Sequence, residues 1–167
     1  MNIDKNSSTS DILLIWLNRN RRNQIAHRQA AKHYHRRHIF LGVTVIALTT
    51  IVGTSVFTTL ERQVDIRLQI VVGLISLSAA VFSALQTFLR FGERSDKHRI
   101  AAARYGSVRR KIEHIISITY ENPKYQNKVL TSMREQMDQL ATDSPEIPEF
   151  VWKRTHVKIE KLNLKLE

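Results

Sequence analysis

Two stretches of this chain contain no charged residue, no histidine, no asparagine and no proline: residues 39–60, IFLGVTVIALTTIVGTSVFTTL, and residues 68–89, LQIVVGLISLSAAVFSALQTFL. No other feature limits the possible folds as severely. Each stretch is 22 residues long. As an α-helix that length extends about 33 Å at ~1.5 Å per residue, against a hydrocarbon core about 30 Å thick. The alternative is a pair of buried helices in a water-soluble bundle. It requires protein on every side of both helices, because neither stretch has a polar face. A chain of 167 residues supplies little for that purpose. The apolar share of 43% and the mean hydropathy of −0.26 would suit a soluble protein. Both averages mislead, because the apolar residues are concentrated in two blocks. The sequence therefore predicts an all-α membrane protein built on a two-helix hairpin.

Charge sets the expected topology. The formal net charge is +11. Residues 19–38 carry Arg19, Arg21, Arg22, Arg28, Lys32, Arg36 and Arg37 with no acid, and residues 90–109 carry six basic residues against Glu93 and Asp96. The seven residues between the blocks, ERQVDIR, hold two charges of each sign. Lys and Arg beside a span stay on the cytoplasmic side. Both termini are thus expected in the cytoplasm, with a short external loop at 61–67. Anionic headgroups attract such flanks by about 1 kcal/mol per residue. This accounts for the basic excess without nucleic acid, which is not expected as a partner. The first apolar block follows 38 residues of basic, polar chain, so no signal peptide is expected. With no cysteine, there is no disulfide, thiolate nucleophile or cysteine-based zinc site.

The expected organisation is a basic N-terminal cytoplasmic helix over 1–38, spans at 39–60 and 68–89, and a cytoplasmic helical region at 90–167. Ser10 is a plausible N-cap for a helix opening DILLIWL, which runs on toward the first span. Leu13, Leu14, Trp16 and Leu17 suit either the membrane interface or packing against other cytoplasmic helices. After the second span no proline occurs until Pro123. Residues 90–121 are therefore predicted as one helix continuing that span, a stiff lever between cytoplasm and membrane. His98, Ala102, Tyr105, Val108, Ile112, Ile115 and Thr119 share one face of it. Asn122-Pro123 is expected to cap a further helix bearing Val129, Met133, Met137 and Leu140 on one side. A turn at 143–148 precedes a last helix with Trp152, His156, Ile159, Leu162 and Leu166 in register.

No catalytic signature is present: no GxxxxGK[ST], GxGxxG, HExxH or GxSxG. An enzyme is not expected, and neither a cofactor nor a metal site is predicted. His33, His35 and His38 crowd the membrane entrance, where a titratable interfacial cluster is the favoured reading. Two constellations stand out. Gly73, Ser76, Ala80, Ser83 and Thr87, spaced 3, 4, 3, 4, form a small-to-polar stripe on the second span. Such a stripe lets membrane helices approach closely, or lines a pore in an oligomer. Gln69 and Gln86 near the ends of that span suit both readings. The segment KHRIAAARYGSVRRKIE is either a packed stalk or a site for a phosphorylated ligand or partner. In the second reading His98, Arg99, Arg104, Tyr105, Arg109 and Arg110 are the candidate residues.

The order of these features resembles the SLATT family of bacterial two-span effectors: a basic approach, HIFLGVTVIALTTIVGTSVF, a short loop, then VVGLISLSAAVFSALQTFLRFGERSDKHRIAAARYGSVRRKIE. The resemblance covers residues 25–120 well and the C-terminal helices loosely. Val108 stands where the family pattern has Leu. It implies antiviral defence by abortive infection at the inner membrane. A homo-oligomer would permeabilise the membrane once a nucleotide second messenger, or a sensor protein encoded nearby, activates its cytoplasmic helices. A non-conducting adaptor that tethers a sensor or enzyme is the alternative. The resemblance brings no catalytic residues and does not assign a sensing residue.

Overall fold

A computed structural model describes residues 9–59, 65–119 and 126–163. These form α1 (Thr9–Thr59), α2 (Ile66–Leu89), α3 (Phe91–Thr119), α4 (Gln126–Asp143) and α5 (Glu149–Asn163), and no strand occurs among the described residues. The all-α expectation holds. The predicted caps at Asn122 and Pro123 and most of the 61–67 loop lie outside the described residues. α1 has 51 residues, about 77 Å at the usual rise. It runs without interruption from the basic segment into the first apolar block.

The chain divides into two compact units. One comprises residues 33–95 and the other residues 1–32 with 96–167. The first contains the hairpin. α2 opens two residues before the apolar block because Asp65 caps it: its carboxylate accepts from the Arg67 N–H at 3.0 Å, and its carbonyl accepts from the Leu68 N–H at 2.9 Å. The α1–α2 seam is drawn from His38, Leu41, Gly42, Val45, Leu48 and Val52 on one side. On the other, the residues withdrawn from solvent are Val72, Ile75, Ala79, Phe82 and Gln86. Gly42 belongs there for a reason of space, since a Cβ on it would lie 3.7 Å from Gln86 Nε2. Outward lie Phe40, Ile46, Ile70, Leu74, Leu77 and Phe88, the last of them 82% exposed. Water would not tolerate such a surface; hydrocarbon would. The hydroxyls are compatible with lipid as well. Thr44, Thr50, Thr54, Ser55 and Ser78 each donate to the carbonyl four residues back in their own helix.

The uninterrupted lever is not what forms. Arg90 takes the left-handed conformation, φ 45° and ψ 41°, and ends α2. α3 restarts at Phe91, with the Arg94 N–H donating to the Arg90 carbonyl at 3.1 Å. No proline or positive-φ glycine causes the break. Phe91 explains it: its ring is buried, stacks on Tyr34 at 6.0 Å between centroids and carries the Arg37 guanidinium 5.9 Å above its face. Beside it the His38 ring lies 3.4 Å from where a Cβ on Gly92 would be. These aromatic contacts draw residues 33–38 and 90–95 into the hairpin unit, beyond the ends of the apolar blocks. They offset a left-handed residue costing about 1–2 kcal/mol.

The second unit has an aqueous-type core. Leu13 of α1, Tyr105, Val108 and Ile112 of α3, and Met133 and Leu140 of α4 are buried together, with Trp16, Leu17, Ile115 and Met137 packed around them. Leu13, Trp16 and Leu17 thus pack on other helices, whereas Leu14 remains exposed. The α3 face expected from the sequence is the face that is buried, from His98 to Ile112. α5 differs by one position. It buries Val151 and Thr155 rather than Trp152 and His156. Thr155 is tolerated there because its hydroxyl donates to the Val151 carbonyl at 2.8 Å. The turn before α5 ends at Pro148, whose carbonyl accepts from the Val151 and Trp152 N–H groups.

Candidate functional site

Gly73, Ser76, Ala80, Ser83 and Thr87 all lie on the exposed surface of α2. The stripe is displaced by one residue from the seam at Val72, Ile75, Ala79, Phe82 and Gln86, so it takes no part in closing the hairpin. A Cβ placed on Gly73 would meet nothing within 4 Å. Thr87 donates to the Ser83 carbonyl at 3.2 Å, which leaves that hydroxyl satisfied in lipid as well as in water. A single chain therefore presents an open, closely approachable face in the middle of its apolar surface.

The residues proposed from KHRIAAARYGSVRRKIE do not converge on one point. His98 and Tyr105 are interior. Arg99 pairs with Asp96, Arg104 with Asp143 of α4 at 3.7 Å, and Arg109 with Glu113 at 3.5 Å. Arg110 is exposed. Three of the four arginines thus already have a carboxylate. Lys111 on the same helix donates to Gln136 Oε1 of α4 at 2.9 Å. The segment serves largely as the middle of the helical unit. At the membrane entrance, His33 meets Tyr34 edge-on at 5.6 Å and His38 lies against Gly92, while His35 is exposed.

At the centre of the unit the structure reveals a pair that sequence reading had not joined. His27 of α1 and His98 of α3 are both buried, with their Nδ1 atoms 2.9 Å apart. One imidazole must donate and the other accept, so at least the accepting ring is neutral. Tyr105 stacks on His27 at 5.3 Å and 18° between ring planes. Burial holds the His27 pKa down to about 4, with the neighbouring His98 ring adding to the shift, and burial also lowers that of His98. His27 shares its helix face with Leu13 and with Asn20, whose side-chain amide donates to the Trp16 carbonyl at 2.8 Å. The seven-residue spacing of these three was the available signal, but two of them are polar and sit within a basic run. His27 and Tyr105 open onto a cleft of about 570 Å3 that Ser144, Glu146, Glu149 and Trp152 also line.

Among the described residues no group of three or more His, Cys, Asp or Glu is arranged to hold a metal. Residues 22–149 match the family model described as SMODS and SLOG-associating 2TM effector domain family 4. No curated protein and no solved structure matches the chain.

Proposed function

The chain belongs to the SMODS and SLOG-associating 2TM effector domain family 4, and from that premise we propose that it is a bacterial inner-membrane effector of antiviral defence. In this reading several copies assemble and permeabilise the membrane, by abortive infection, when a nucleotide signal or a partner protein engages the helical unit. Both termini face the cytoplasm.

One observation carries this reading: the stripe Gly73, Ser76, Ala80, Ser83, Thr87 is exposed on a lipid-embedded helix and is not used by the hairpin seam. Small residues at helical spacing gain by close packing against another membrane helix. Two helices cannot enclose a channel, so a conducting path needs several hairpins around an axis. Arg90 supplies the two-state element. Conversion of this one residue from left- to right-handed backbone would merge α2 and α3, and a signal acting on α3 biases that choice.

The adaptor reading draws on a different observation: the Ser78 and Thr87 hydroxyls of α2 each donate to the carbonyl four residues back in their own helix, so neither requires a water path. Dye release from liposomes carrying the activated full chain separates the two. Ala80→Leu with Ser83→Leu should abolish or alter the leak of a conducting assembly. A release no greater than that of protein-free liposomes would defeat the permeabilising mechanism.

A further inference from the structure

Within the helical unit, a second cleft of about 640 Å3 opens between the start of α1 and α5, lined by Ile15, Trp16, Arg19, Arg22, Asn23, Trp152 and His156. Its size is that of an ordinary small-molecule site, about 300–1,000 Å3. Its chemistry is narrow. The chain has two tryptophans, and both line this cleft. Arg19 and Arg22 are one turn apart and exposed, and neither forms an ion pair among the described residues. No carboxylate lines the cleft among the described residues. Two like charges held side by side raise the energy of the unliganded state, which an anion relieves. Guanidinium groups bind phosphate in charge-assisted, often bidentate fashion, and indole faces stack on any planar base. Asn23 adds both a donor and an acceptor at the rim. The adjoining cleft by His27 has the opposite character, with Glu146 and Glu149 in its wall, and would repel the same ligand.

We propose that this cleft binds a phosphorylated nucleoside, with its base on the indole surface of Trp16 and Trp152 and its phosphate on Arg19 and Arg22. The binding stands on the cleft alone. Only its consequence, control of the membrane assembly, rests on the reading above.

The test uses the full chain in lipid nanodiscs, titrated with AMP, GMP, CMP and UMP. Tryptophan fluorescence and calorimetry are the readouts. At least one of the four should bind saturably, with its free nucleoside and inorganic phosphate each weaker by about tenfold or more, since each lacks half of the contacts. Arg19→Gln together with Arg22→Gln should weaken nucleotide binding by about tenfold or more. Arg21→Gln, which removes a neighbouring exposed charge outside the cleft, should change it by no more than about twofold. No saturable response to any of the four up to about 1 mM overturns the proposal, as does binding indifferent to the double substitution. Discs of phosphatidylglycerol and of phosphatidylcholine separate a free nucleotide from a lipid headgroup. A tryptophan signal that follows phosphatidylglycerol and is displaced by no nucleotide also overturns it. Leakage is recorded separately, so a chain that binds nucleotide without leaking defeats the permeabilising mechanism and leaves the binding site standing.

Discussion

α1 passes through both units, and it is built by different rules in each. In residues 9–32 its buried positions are Leu13, Asn20, Ala26, His27, Ala30 and Ala31, an alternation of apolar and polar groups set against other helices. In its apolar block almost nothing is covered, and Phe40, Val43 and Ile46 point outward. The first pattern is what water demands: apolar surface withdrawn, and interior polar groups paired. The second is what lipid permits, where an outward Phe costs nothing and an unpaired hydroxyl does. Burial within the chain is therefore informative in one unit and nearly silent in the other. The surface of α2 must be read by residue size and polarity instead.

The largest effect expected from this contrast is on core truncation. Ile112 is 0% exposed and Leu74 is 59% exposed. Ile112→Ala should destabilise the helical unit by about 2–5 kcal/mol, through lost transfer energy and a cavity. Leu74→Ala should change stability by less than about 0.5 kcal/mol. Denaturant unfolding of the reconstituted chain, followed by tryptophan fluorescence, measures both. Equal costs would break the contrast and mean that α2 packs tightly against something in the isolated chain's membrane state.

The next effect is pH-dependent and confined to the helical unit. An imidazole in the unfolded chain takes its proton near pH 6.5, whereas folded His27 does so near 4. Between those values the unfolded state holds more protons, so stability should fall as pH drops from about 6.5 toward 4 and change little above that window. His98, whose pKa is also lowered by burial, acts in the same direction. His27→Gln should flatten the slope through this window. An unchanged slope would assign the acid sensitivity to groups other than His27.

The smallest effect concerns the point where α2 ends. Arg90→Gly removes the steric cost of a side chain at φ 45°, and should stabilise the interrupted form by about 1 kcal/mol. The exposed Arg90–Glu93 pair, lost in the same change, offsets little. If merging α2 and α3 is part of activation, the same variant should leak more slowly than the parent in the liposome assay. Faster leakage would place the active state on the interrupted side.

The two apolar helical blocks and the face of α3 from His98 to Ile112 were legible in the sequence, because each is a run or a periodicity within one segment. Other features were not. The expected α5 register of Trp152 and His156 is one residue off, since Val151 and Thr155 pack inward and a hydroxyl satisfied by its own helix passes for an apolar group. The sequence left α3 open between a packed stalk and a phosphate site, and the ion pairing of Arg99, Arg104 and Arg109, the second with Asp143 from another helix, could not be read from it. Arg19 and Arg22 read as part of a basic flank of the first span and Trp16 as an interfacial or helix-packing residue, and only the position of α5 turns the three into the wall of a cleft.

Alone, the amino-acid order determined that this chain enters lipid as two helices and that α3 carries an apolar stripe, because transfer energies and helical periodicity are local and additive. Tertiary structure decided the break at Arg90, the meeting of His27 with His98 across 71 positions of chain, and the placing of the small-residue stripe outside the hairpin seam. Each depends on which side chains from distant segments compete for the same space, and no window of sequence contains both competitors.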